Sequence, residues 1–212
     1  RRQGLLFASL AGAAFLTTTA AIASANNQWS CWHWNHNNVG FSNAASGYWG
    51  TILGSEMNQW YAGTCVNSAG GSEITGDAGF YGATGWLGIA RILEYTSACE
   101  IVRAESLMNQ SYLDGGSYSE TADRHVACQE IGHCLGLDHR KGPNNHTCMN
   151  DQTLGFPDFD QHDADVVNAI TGGCGGGGTG CDNGGETGRK KCNDGLDNDG
   201  DGCIDTADPD CP

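Results

Sequence analysis

The chain has 212 residues, 10 Lys and Arg against 25 Asp and Glu, and a formal net charge of −15. That length holds one ordinary domain and a tail, and so acidic a balance argues against a phosphate-backbone binder, which needs a basic footprint. Gly is high at 33 with only 4 Pro and no Gly-X-Y period, which excludes collagen, and 11 Cys point to an oxidising compartment or to metal binding, the odd number leaving at least one thiol free, metal-bound or intermolecular.

In chain order, Arg1 and Arg2 precede an apolar run at 5–16, and Ala23-Ser24-Ala25 ends it as an Ala-x-Ala cleavage signal. We read residues 1–25 as a secretory signal peptide. A membrane anchor is the alternative, but the apolar core is short for a span and a polar segment follows at once. The mature chain then starts near Asn26, is exported, has no membrane partner, and carries a charge nearer −17 once the two arginines leave the −15 total.

Trp29, Trp32 and Trp34, with His33 and His36, cluster just after that site. They read as an N-terminal strand packed on the core, with a sugar-binding or metal-binding patch as the alternative. The stretch 26–80, rich in Asn, Gly, Ser and Trp, is expected to hold short strands and loops. The pattern predicts strands over 84–93 and 97–103. It predicts a helix over 122–137, capped by Thr121 or Asp123 and ended by Gly136 in the manner of a C′ glycine. A second helix is predicted over 160–170, with acidic residues in its first turn. Asn109-Gln110-Ser111 and Asn145-His146-Thr147 fit the glycosylation acceptor pattern. Glycines dominate 172–191, which reads as a flexible linker, and an Asp-dense tail, 192–212, is bracketed by Cys192, Cys203 and Cys211. The organisation is therefore signal peptide 1–25, folded α+β domain 26–171, linker 172–191 and tail 192–212. There is no Gly-x-Ser-x-Gly nucleophile elbow and no phosphate-binding loop.

The chemistry concentrates in 129–139, QEIGHCLGLDH. Positions 129 and 133 lie one turn apart on one helix face. A glycine turn at 136 lets the chain break away and brings His139 back to the same point. Glu130 sits about 100° round the helix, beside an ion at 129, 133 and 139 rather than on it. A carboxylate there can take a proton from water activated by zinc, which lowers the water's pKa to about 7.

This segment resembles the metzincin zinc-protease signature, His-Glu-x-x-His-x-x-Gly-x-x-His. Glu130, His133, Gly136 and His139 match it, and Gln129 stands where the first His belongs. Leu135, Leu137 and Asp138 look most like the matrixin branch. Thr147-Cys148-Met149-Asn150 looks like the Met-turn, with Met149 under the metal. The run 159–163 is similar to the start of the closing matrixin helix, and 82–90 resembles the edge strand that holds extended peptide substrate. The resemblance covers roughly 77–171. It implies a zincin-like catalytic domain: a small mixed twisted sheet, an active-site helix and a C-terminal helix.

At Gln129 three possibilities stay open: an unusual amide ligand, a two-His site completed by water, or a dead site. The amide oxygen can coordinate, but zinc prefers imidazole or thiolate, so affinity should fall. His125 shares the face, yet lies about 12 Å from His133 along a straight helix, too far to share an ion. It reads as a helix-face residue. Cys128 and Cys134 fall on other faces, roughly −100° and 140° from position 129, and read as disulfide partners, with Cys148 a partner for one of them. Cys31 with Cys65 is a further suggested pair.

In the tail, Asp197, Asp199, Asp201, Asp205 and Asp208 occupy positions 1, 3, 5, 9 and 12 of an EF-hand-like loop, with Gly202 at 6 and Ile204 at 8. Oxygen ligands on alternate positions suit Ca²⁺. The run resembles the short Asp-rich calcium repeats of extracellular bacterial proteins; an acidic disordered tail is the alternative. Together these residues lead to the expectation of a secreted zinc-dependent endopeptidase. Glu130 is its general base, His133, His139 and Gln129 its zinc ligands, and Met149 lies beneath them. An extended peptide is the substrate, and Ca²⁺ binds the tail. The alternative is an inactive metalloprotease-fold binding or surface protein.

Overall fold

The structure, a computed structural model, describes residues 27–68, 70–142, 145–152 and 154–173. Residues 1–25, read as a signal peptide, most of the 172–191 linker and the whole Asp-rich tail, with its expected calcium ligands, lie outside the described residues.

Residues 26–80 hold a long helix, not only strands and loops. Helix α1, Gly47–Gly63, buries Trp49, Ile52, Leu53, Glu56, Met57 and Trp60, a stripe at helical spacing. Its interior glycines hide it, because Gly is a poor helix former. One of them is required by packing: a Cβ on Gly50 would sit 2.8 Å from the Ala45 carbonyl oxygen.

Strands β1 (Phe41–Asn43), β2 (Ile74–Gly79), β3 (Gly88–Tyr95) and β4 (Ile101–Asn109) form one mixed sheet in the order β1-β2-β4-β3. The first three in that order run parallel, and β3 pairs antiparallel with β4 as an edge strand. Both later strands start about four residues after their predicted starts. For β3 the delay comes from the 80–87 segment, which is tied up as a loop by Asn109, and for β4 from the turn at 96–100, where the Cys99 N–H donates to the Thr96 carbonyl. The amide Nδ2 of Asn109 donates to the Gly82 carbonyl at 3.0 Å and to Thr84 Oγ1 at 2.9 Å, and its Oδ1 accepts from the Tyr81 N–H. Asn109 is wholly buried, so it is not presented as a glycosylation acceptor.

A single turn, α2 (Gln110–Leu113), leads to helix α3, Glu120–Cys134, which packs on β3, β4 and α1. Ser119, not Thr121 or Asp123, caps α3, accepting from the Ala122 N–H at 3.3 Å. Asp123 instead accepts from the Tyr48 hydroxyl. Helix α4, Gln161–Ile170, opens on a reciprocal capping box between Asp160 and Asp163. The core joins Trp34, Leu53, Trp60, Ile74, Met108, Ile131 and Met149, with Phe159 stacked on Trp60 at 3.9 Å between ring centroids. The class is α+β, as expected. Among the described residues no helix is long and apolar enough to cross a membrane.

The N-terminal tryptophans do not form a strand. Its β pairing is limited to isolated bridges such as Gln28 to Leu137 and His33 to Glu100, and of the three indoles only Trp34 is fully buried. Disulfides join Cys31 to Cys99 and Cys128 to Cys148. Cys65 is disulfide-bonded too, but not to Cys31. Cys134, expected in a disulfide, is a free thiol buried in the core beside the Arg91 backbone N–H, and burial pushes its pKa up.

Candidate metal centre

Helix α3 carries Gln129, Glu130 and His133 to the sheet, where it ends. Gly136 adopts φ +102°, a region that favours glycine, and the Leu137 N–H closes back on the Gly132 carbonyl at 3.0 Å. The chain after this turn is stitched on two sides. Asp138 N–H donates to the Asn27 carbonyl at 2.5 Å, and Arg140 N–H to the Met149 carbonyl at 2.7 Å. Between those anchors lies His139.

The turn brings the two histidines together. His133 Nε2 and His139 Nε2 are 3.0 Å apart, with ring planes at 77°. His133 Nδ1 lies 2.8 Å from the Leu137 carbonyl oxygen. A carbonyl only accepts, so Nδ1 holds the ring proton and Nε2 presents its lone pair to His139. Burial pushes the His133 pKa down to about 4, so this ring is neutral at neutral pH. On the far side of His139, Nδ1 lies 3.9 Å from Asp151 Oδ2, too long for a hydrogen bond. Two bonds near 2 Å at a tetrahedral angle put their nitrogens a little over ~3 Å apart, so the spacing fits a shared zinc ion. A single N–H···N hydrogen bond donated by His139 fits the same distance.

Gln129 supplies the third expected donor. Its amide Nε2 donates to the Cys148 carbonyl at 3.0 Å, so Oε1, the end able to coordinate, is the end left over. Gln129 lines a cleft of about 290 Å³ together with His139, Glu130, Trp86, Val126 and Leu154. Among the described residues no three His, Cys, Asp or Glu side chains are grouped to hold a metal. Met149 is buried under α3, where a Cβ on Gly132 would meet its Sδ at 2.5 Å. His125 is no ligand: its ring nitrogens face the Phe156 and Asn150 carbonyls at 2.6 and 3.1 Å, where it braces the segment after the Met149 turn.

Glu130 lies where the clefts meet. It lines the 290 Å³ cleft and a second of about 280 Å³, walled by Trp29, Gly88, Ile89, Ala90 and the two histidines. Only 7% of its surface is exposed. Burial pushes its pKa up to about 8, while the Ala90 backbone N–H favours the charged form. Gly88 permits this placement, since a Cβ there would sit 2.6 Å from Glu130 Cγ. Edge strand β3 therefore borders both clefts, with Glu130 behind it.

No protein-family model matches the chain, and no curated protein is significantly similar to it.

Two elements of this site were missed in the sequence. Trp29 reaches the cleft through contacts more than a hundred residues away in the chain, which no local pattern reveals. Asn109 looks like an ordinary sequon. The Cys128–Cys148 bridge fastens the Gln129 helix to the turn whose carbonyl holds Gln129. Replacing both cysteines by Ala is expected to cost about 3 kcal/mol and to weaken zinc binding. Urea unfolding checks the first effect and zinc titration the second.

Proposed function

We propose that the chain is a secreted, zinc-dependent endopeptidase of the metzincin type, most like matrixins in its motif. The observation that supports it most is the meeting of two imidazole Nε2 atoms at 3.0 Å, with Glu130 beside them and a sheet edge running past. His133, His139 and Gln129 would hold the zinc. When bound, it supplies Lewis-acid polarisation of a carbonyl and acidifies water.

The chain's own groups do the rest. The outer edge of β3 offers main-chain donors and acceptors to an extended peptide, which adds as a further strand. Glu130 takes the proton of the attacking water and passes it to the amine nitrogen as the C–N bond breaks. The Ala90 N–H holds its carboxylate in place between these transfers. Leu137 keeps the His133 imidazole in the tautomer that presents Nε2. We also propose that Asp197, Asp199, Asp201, Asp205 and Asp208 bind Ca²⁺ as an attachment or stability element.

The weak donor at Gln129 favours one other reading, an inactive metalloprotease fold acting as a secreted binding protein. Zinc analysis of the mature chain, followed by casein cleavage with and without a chelator, separates the two. About one zinc per chain and cleavage that stops on chelation and returns with zinc is expected. No zinc and no cleavage would favour the binding protein.

A further inference from the structure

We infer that Trp29 is a specificity residue: its indole forms the wall of a subsite for a bulky aromatic side chain of the peptide lying along β3. The inference rests on the endopeptidase reading for its substrate, and on geometry for its place.

Trp29 is held on both sides. Its N–H donates to the Gly136 carbonyl at 2.7 Å, and the preceding residue, Gln28, bridges to Leu137. Asn27 donates from Nδ2 to the buried Asp163 at 2.8 Å. After Trp29 the chain turns sharply: Ser30 takes φ +58°, the Trp32 N–H returns to the Trp29 carbonyl at 3.1 Å, and Cys31 is bonded to Cys99. A non-glycine residue in the left-handed region persists only where its surroundings fix it. So many ties fix the backbone at Trp29, whose ring centroid lies 5.7 Å from that of His133.

The indole is also unspent. Trp34, Trp49 and Trp60, the buried tryptophans, each donate from Nε1 to a protein oxygen. Trp29 is half-buried, and no protein group among the described residues accepts from its Nε1. Its ring borders the cleft of about 280 Å³ that also has Gly88, Ile89 and Ala90 of β3 in its wall, with Glu130, Asp138 and the two histidines on the other side. An extended peptide beside β3 projects every second side chain toward one face. A space of that size takes one large side chain. The apolar wall of Trp29, Ile89 and Ala90 suits an aromatic ring, which packs on an indole offset or edge-on. The free Nε1–H is then available to a peptide carbonyl.

The test is a peptide series in which one Phe is moved along an Ala-Gly background, with Lys and all-Ala counterparts. Wild-type protein, Trp29→Ala and Trp29→Phe are compared for kcat/KM, and binding of the same peptides is titrated to the Glu130→Ala protein with and without Trp29→Ala. Unchanged zinc content and melting temperature, with Cys31–Cys99 intact, show that the variants fold. One Phe position should be preferred over Ala by roughly tenfold or more. That preference should collapse in Trp29→Ala through loss on the Phe peptide alone, and largely return in Trp29→Phe. A preference for Lys, no preference at any position, or a Phe preference that survives Trp29→Ala overturns the inference. Phe-selective binding that depends on Trp29, without cleavage by the wild type, would uphold the subsite and remove the endopeptidase reading.

Discussion

The Glu130→Ala variant should fold, keep its zinc and lose peptide hydrolysis by ~10²–10⁴-fold, the range that removal of a positioned general base produces. Its stability should not suffer, and this follows from the burial. The carboxylate is nine-tenths buried with its pKa pushed up to about 8, and its one stabilising contact of note is the Ala90 N–H. Taking out a desolvated acid removes a cost as well as a bond. Glu130→Gln, which keeps the shape but cannot accept a proton, should be equally inactive. It separates loss of the base from any void that Ala leaves against Gly88 and Val126. Hydrolysis checked with quenched peptides, beside zinc analysis, decides it: proteolysis at wild-type rate in either variant removes Glu130 from the mechanism.

His133→Ala should release the metal, and with it all activity. The imidazole is neutral, oriented by Leu137 and aimed at His139, so nothing nearby replaces it; His125 has its own carbonyl partners. Zinc content measured after dialysis should fall from about one per chain to none. Gln129 gives the graded version. Gln129→His, which completes three imidazoles, should tighten zinc at least tenfold, because zinc prefers that nitrogen to an amide oxygen. Gln129→Ala should weaken it. Zinc affinity unchanged in Gln129→Ala would show that the ion is held by two histidines and water.

Local chemistry was the legible part. The residues read as donors and base, and the turn glycine, all fall within 129–139, and a helix end plus one left-handed residue brings His133 and His139 together. The helix over 160–170 with acidic residues in its first turn was legible for the same reason, although Asp160 proves to be its cap, paired with Asp163. Contacts across the chain were not. Cys99 lies 68 residues from Cys31, and no spacing rule prefers it to Cys65. Helix α1 carries its apolar stripe through glycines that lower its propensity, and burial against α3, not intrinsic preference, keeps it helical. Trp29 and Asn109 likewise acquire their roles only when distant segments close on them.

The most direct measurement is the position of zinc in crystals of the mature chain, located by anomalous scattering at the zinc edge. One ion bonded to Nε2 of both His133 and His139, with Gln129 Oε1 completing the protein ligands, is the predicted result. The two rings facing each other with no ion between them in excess zinc, joined by one hydrogen bond, would contradict it.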